Sequence, residues 1–403
     1  MSHGATIPKA PKEALSIPKS AQGLALVAAL AGAIAFFYAL NSGHADTAWS
    51  GYLMGAFFTL GLGVFGVAWL AILYLSKAVW SVSMRRIPEA MTAWLLPGGI
   101  LAMLVGVGGH TLYHWTHADA VATDHLLAHK EPFLNMTMFY ALIGVSLVVW
   151  LLFGTVLVRN SRAQDETGKA TISRQNVRLS AIFAVLYALT FSIVSFYLLM
   201  SLEPHWFSTM YAVLTFTDMV QTGTAFVAII VSYFILKGQL KGFLNENHLH
   251  SLTKMMFAAT GFWAYIYFCQ FLLIWYSNIP EETLYFITRW QNGWLPYLIA
   301  LPLLKFVIPF IYLAPRANKR NPKRVIAMAV LLLFAQFWEL FLLVRPAVGH
   351  GAEKAHAHPP IFEGIITLGF FGLFFVVFSW ALQRGKPVPL KDPYMRECLE
   401  YHQ

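Results

Sequence analysis

Trp206–Lys237, WFSTMYAVLTFTDMVQTGTAFVAIIVSYFILK, is the stretch whose reading decides the fold. It is uninterrupted by proline, overwhelmingly apolar, and longer than the ~20 residues a helix needs to cross a bilayer. Near its middle sits a carboxylate, Asp218, with Thr215, Gln221 and Thr222 one helical turn away on the same face. On insertion scales an Asp at the centre of a spanning helix costs about 2.5–3.5 kcal/mol. A residue that expensive is paired, hydrated or protonated, and it marks an ion or substrate path or a fixed internal contact.

Working outward, the same character fills the chain. Of 403 residues 58% are hydrophobic and only 12% charged, and the mean hydropathy is +0.59. That composition leaves no room for a soluble domain. Ten apolar segments are long enough to cross: 24–41, 52–76, 91–115, 132–158, 177–201, 207–236, 252–277, 291–313, 325–344 and 361–382. Backbone groups in lipid must be satisfied within the segment, so these lengths specify helices. The expected architecture is an all-α integral membrane protein. Two inner four-helix bundles, 51–203 (spans two to five) and 204–346 (spans six to nine), are flanked by spans one and ten. The first span and its outer loop take 24–50, and a His-rich outer loop with the last span takes 347–383. Tails of 1–23 and 384–403 complete the chain.

Charge sets the orientation. Lys130, Arg289, Arg345 and Lys354 lie on one side, and Lys305 lies inside a span. Every other Lys and Arg falls in the two tails, in the loops after spans two, four, six and eight, or, for Arg178 and Lys254, within the first three residues of the span that follows such a loop. The positive-inside rule then puts both termini in the cytoplasm. It also makes the net charge of +9 a set of topological anchors and not a nucleic-acid surface. The polar N-terminal segment with Lys9, Lys12 and Lys19 precedes an apolar run without a small-residue cleavage signal, which reads as a retained first span. The opposite loops carry acids and histidines: Asp119, Asp124, His125, His129 and Glu131, then Glu281 and Glu282, then His350, Glu353, His356 and His358. The last group has no regular ligand spacing and reads as a solvated loop, with metal binding as the alternative. Two isolated cysteines, Cys269 and Cys398, support neither a disulfide nor an iron–sulfur cluster, and no C-x-x-C-H haem motif occurs.

Three groups in the second half carry the candidate chemistry. Lys305 lies in span eight between Pro302 and Pro309, and Pro309 frees the carbonyl of Lys305 itself. At ~1.5 Å per residue it is about 13 Å from Ala314, far for a lysine that reaches the surface. Glu339 in span nine has Gln336 one turn before it. Asp218, Lys305 and Glu339 are therefore expected at graded depths, the arrangement of a proton relay bridged by water, with Gln336 and Thr222 along it. The alternative is an Asp–Lys pair that only fixes helix packing. Glu203 and His205, on the turn before span six, are candidates for the outer mouth. His110 and His114, at i and i+4 on span three near the outer end, are candidates for quinone contacts, a proton exit or rim histidines. Arg85, Arg86 and Glu89 read as lipid anchors. The aromatic run of span seven, Phe262 to Trp275, reads as a packing surface, with Tyr265 and Gln270 as extensions of a polar path.

Ser201-Leu-Glu-Pro-His-Trp-Phe-Ser-Thr-Met-Tyr211, Phe262-Trp-Ala-Tyr-Ile-Tyr-Phe-Cys-Gln270 and Trp275-Tyr-Ser-Asn-Ile-Pro-Glu-Glu-Thr283 resemble the ActF-type subunits of bacterial alternative complex III. Those subunits belong to the wider NrfD/polysulfide-reductase-like membrane family. The resemblance spans nearly the whole chain. It implies a quinol:electron acceptor oxidoreductase complex of the bacterial inner membrane that feeds cytochrome c or a terminal oxidase. It also implies a multihaem cytochrome c, an iron–sulfur subunit, a second NrfD-like subunit (ActC) and small membrane subunits as partners. Haem c and iron–sulfur clusters are then expected on those partners, and no cofactor other than menaquinone or another quinone on this chain. Spans two to five hold no mid-membrane carboxylate, and His110 is the nearest counterpart of a quinol-oxidising residue. The role expected here is therefore proton translocation through Asp218, Lys305 and Glu339. The alternatives are direct quinol oxidation beside His110 and, from another class, an independent secondary transporter.

Overall fold

The computed structural model describes Pro8 and residues 15–348 and 356–402. Among these there is no strand, and ten helices are long and apolar enough to cross a membrane: Lys19–Asn41, Ala45–Leu75, Arg86–Leu112, Met136–Thr167, Ala170–Leu202, Met210–Lys237, Glu246–Ser277, Leu295–Leu313, Pro322–Val344 and Ile361–Gln383. They are called spans one to ten below. The chain is an integral membrane protein.

The helix ends are set by local chemistry. Asn135 begins span four by accepting the Met138 N–H at 2.9 Å. Asn245 begins span seven in a capping box with His248, ahead of the apolar run. Asn321 begins span nine with Pro322 in its first turn, where the missing N–H loses nothing. Spans four and six stop at Gly168 and Gly238, both left-handed, at φ 68° and 69°, as helix C-termini favour. Spans four and five extend beyond their apolar segments because their polar ends continue as helix past the lipid-compatible length. Hydropathy sees the membrane, whereas capping residues see the helix.

Two spans are irregular. Span three alternates α-helix with two 3-10 stretches, Thr92–Trp94 and Leu104–Gly108. Span eight opens into a π-helix over Leu303–Val307. Pro302 and Pro309 flank that π-turn, and neither can donate to the carbonyl four residues before it.

Span two is the hub. Of its apolar window 89% is buried, against 22% for span one and 17% for span eight. It packs on spans one, three, five and ten, and also on spans six and nine. Span six packs on spans seven and nine. Gly223 of span six lies flat against the Phe65 ring of span two: a Cβ there would come within 2.1 Å of the ring. Spans one and ten form the closest helix pair, because Gly32 and Gly369 face each other and a Cβ on Gly32 would fall 2.6 Å from the Gly369 Cα. Close backbone approach through small residues is how helices associate in lipid, where burial of apolar surface supplies no drive. Gly369→Ile is therefore expected to release span one from span ten while leaving the interior intact. Cysteine cross-linking between Ala28 and a residue of span ten would lose its efficiency, and unchanged cross-linking would refute the contact.

The loops with most of the Lys and Arg gather at one end of the bundle, called the basic end here. The segment after span ten is not a free tail. Asp392 pairs with Arg85, Tyr401 and Ser251 share a hydrogen bond at 2.9 Å, and the Cys398 carbonyl accepts the His248 Nε2–H at 3.0 Å. Burial pushes the Cys398 thiol up from its ordinary value, so it sits as a neutral packing group.

Candidate functional site

Spans six, eight and nine bring Lys305, Asp218 and Glu339 together at one point. The Lys305 ammonium donates to Asp218 Oδ1 at 2.5 Å, to Gln336 Oε1 at 2.8 Å and to Glu339 Oε2. An ammonium has three N–H donors, and all three are used. Lys305 and Glu339 are 0% exposed and Asp218 2%. The three groups thus meet in direct contact and do not stand at graded depths with water between them. Lys305 lies on the one inward face of span eight, in line with buried Leu301, Pro309 and Leu313, and the π-turn falls at its position.

The surrounding bonds are specific. The Thr222 hydroxyl donates to Gln336 Oε1 at 3.1 Å. The Gln221 amide donates to Thr260 Oγ1 at 2.9 Å and to the Lys305 carbonyl at 3.1 Å. That carbonyl is the one Pro309 leaves without a helical partner, and the side chain of a neighbouring span satisfies it. Trp263, which the sequence reading placed in a packing surface, donates its indole N–H to Glu339 Oε1 at 3.0 Å, and the Lys305 ammonium lies 5.1 Å from its ring centroid. Tyr265 is exposed and Gln270 is buried. Two acceptors at the site, Asp218 Oδ2 and Gln221 Oε1, are buried without a hydrogen-bond partner among the described residues.

Beyond Glu339, toward the end opposite the basic loops, the next polar layer is centred on Arg289. It donates to the carbonyls of Leu342 and Leu343 at 3.0 and 3.2 Å, filling orphan acceptors at the end of span nine. It also pairs with Glu203 Oε1 at 3.0 Å and lies 3.6 Å from the Tyr285 ring centroid. Glu203 therefore has a buried partner that the sequence reading missed. The available signal was Arg289 itself, a cation on the side where cations are rare. His205 instead faces out and pairs with Asp124 at 2.5 Å. The His205 contact, with the backbone N–H groups of Leu127 and Leu126, holds the Asp124 carboxyl below the usual carboxylate range.

His110 and His114 do not share one helical face. The helix ends at Leu112, and Tyr113 is extended at φ −113°, ψ 114°. A run of Gly106, Gly108 and Gly109 weakens the helix, and the Tyr113 hydroxyl is tied to the Leu198 carbonyl at 3.1 Å. His110 is exposed, and its carbonyl accepts His117 Nε2–H at 2.8 Å.

The His-rich loop is divided: His350, Glu353 and Lys354 lie outside the described residues, whereas His358 contacts Arg345 at 3.0 Å. Arg345 also pairs with Asp46 at 3.0 Å and with buried Glu363 at 3.2 Å. Among the described residues no group of three or more His, Cys, Asp or Glu side chains is placed to hold a metal ion.

At the basic end, Arg86 is 7% exposed and Glu89 3%, so the lipid-anchor reading is replaced by a buried network. Arg86 bonds Glu89 Oε2 at 2.5 Å, Asp165 and the Ser161 hydroxyl at 3.3 Å. Ser161 in turn donates to Glu89 Oε1 at 2.5 Å. Arg85 pairs with Asp392 and lies 4.8 Å from the Tyr74 ring centroid. The cause is helix order: span four carries Asp165 past the lipid edge, to where span three begins.

Fold and site together define a polytopic helical membrane protein with a closed ionic centre in its interior. No family model matches the chain, and no curated protein matches it.

Proposed function

We propose that the chain is the ActF-like subunit of a quinol-oxidising respiratory complex and that it supplies a proton path centred on Asp218, Lys305 and Glu339. In this reading the basic end and both termini are cytoplasmic, the membrane is a bacterial inner membrane, and spans two to five and six to nine are two four-helix bundles. Electrons travel through haem c and iron–sulfur groups of partner subunits, from a menaquinol-type donor to cytochrome c or a terminal oxidase.

The observation that carries the reading is a charge imbalance. One buried ammonium faces two buried carboxylates, and a net negative charge in a dry interior is costly. One added proton restores neutrality. Glu339 already accepts from Lys305 and Trp263 on its two oxygens, whereas Asp218 Oδ2 has no partner among the described residues. Asp218 is therefore the carboxylate that takes the proton. Once neutral it binds Lys305 less, and the ammonium then belongs to Glu339 and Gln336. Loss of the proton restores the bridge. The Arg289–Glu203 layer lies between this centre and the outer surface, on the route a released proton would take.

Asp218→Asn removes the site of protonation and keeps an oxygen acceptor for Lys305. The assembled complex carrying it is expected to oxidise quinol at a measurable rate, with proton translocation in reconstituted vesicles reduced at least severalfold. Unchanged translocation per electron would overturn the reading.

A further inference from the structure

Two cavities lie along the seam between spans two and five, one at the basic end and one deeper. One, of about 660 Å³, opens beside Lys77, Arg174 and Arg178, with Arg85, Asp392 and Glu397 also on its wall. The other, of about 360 Å³, runs deeper along the same two spans and span six. It is lined by small residues, Ala71, Ala184 and Ala188, over the rings of Phe183 and Phe216. Their walls share no residue but adjoin along span two. Leu73 and Val177 line the first, and Ile72, Leu75 and Phe183 line the second.

We propose that this composite cleft is a binding site for an anionic phospholipid of the leaflet at the basic end. Its phosphate sits among Lys77, Arg174 and Arg178, and one acyl chain lies in the alanine-floored groove. Charge and wall chemistry decide the occupant. Arg174 and Arg178 are one turn apart on span five, so both face the pocket, and both are exposed, as is Lys77. Arg85 and Asp392 neutralise each other, which leaves Glu397 as the acid opposing three cations.

The groove itself offers nothing to a polar headgroup. The Tyr187 hydroxyl is directed to the Met219 sulfur at 3.3 Å, and Ser192 is bonded to its own helix at Ala188. A neutral quinone ring would find no free donor there, whereas an alkyl chain needs none. Lys77 adds a further mark. It ends span two in the left-handed region at φ 48°, a position that favours glycine, so a lysine is held there against the backbone preference.

The test is native mass spectrometry of the purified full chain with phosphatidylglycerol, phosphatidylcholine or inorganic phosphate as probe. Phosphatidylglycerol adducts are expected to survive at activation energies that strip phosphatidylcholine. The double variant Arg174→Gln, Arg178→Gln should weaken them roughly thirtyfold, the factor two surface cations are worth. Ala188→Phe, which fills an exposed groove position, should weaken retention of phosphatidylglycerol while leaving the melting temperature of the lipid-free protein unchanged. Equal retention of the two lipids, or indifference to both variants, would overturn the proposal. So would displacement of the lipid by inorganic phosphate, which would make the pocket a free-anion site. The lipid preference of the unaltered protein decides the matter even if a variant fails to fold.

Discussion

Replacing Lys305 by methionine is expected to destabilise the protein by about 3–5 kcal/mol, the range for breaking a buried ion pair from one side. The substitution keeps an unbranched side chain one heavy atom shorter and removes its three donors. Asp218 and Glu339 then face each other across a dry gap, and Gln336 loses its ammonium partner. The measurement is unfolding of the purified protein in mixed detergent micelles, read by helical signal and by tryptophan emission, since Trp263 touches the site. A companion variant separates electrostatics from packing: Lys305→Met with Asp218→Asn and Glu339→Gln removes the charges together. It should recover most of the stability, because neutral groups of similar shape replace a buried ionic network at little net cost. A triple variant as unstable as the single would mean that Lys305 acts through its shape. A single variant as stable as the parent would mean that the centre is not ionic. The recovered triple variant should still fail to translocate protons, which divides the transport role from the scaffold role.

Arg86→Met is expected to cost about 3 kcal/mol, the lower end of the same range. Its network borders a pocket of about 170 Å³ lined by Arg162, Glu166 and Lys386, so water can reach the stranded acids. Arg86 holds Glu89 on its own helix, Asp165 on span four and the Ser161 hydroxyl. Losing it frees the basic ends of spans three and four from one another. Limited proteolysis near Gly168 should accelerate in parallel with the fall in stability. Arg86→Lys is expected to recover only part of the loss, because an ammonium cannot reproduce the forked geometry of a guanidinium between two carboxylates. Full recovery by lysine would show that charge alone matters here.

Much of the site was legible before any tertiary contact was known, and the reasons are physical. Asp218, Lys305 and Glu339 stand out because an ionisable group in an apolar segment is expensive, so its mere presence is informative. Gln336 and Thr222 follow from helical spacing to those groups, and both touch the cluster. Trp263 gave no such signal. An indole is at home in a span, and its N–H bond to Glu339 depends on which helix stands beside it. The cations on the side opposite the basic end carry a signal of their own. Arg289 and Arg345 depart from the charge asymmetry of the loops, and each is committed to buried partners inside the fold. A basic residue that breaks the topological rule is more informative than the many that obey it. The converse error was Arg85 and Arg86, which obey the rule and are nonetheless buried. Their charge satisfies two demands at once, and loop counting sees only one.

By itself the sequence determined that this chain forms ten helical segments long and apolar enough to cross a membrane, because hydrocarbon imposes a local requirement on each segment: enough apolar residues in a row and every backbone group satisfied within it. It also determined which few charges are out of place. Only the tertiary structure decided where those charges go. The inward face of span eight brings one lysine onto two carboxylates from other spans, a break at Tyr113 separates two histidines that an ideal helix would align, and the chain after span ten closes onto Arg85. Spacing along a chain fixes a face, but the partner of that face is set by helix order and irregular turns, which reside in contacts between residues far apart in sequence.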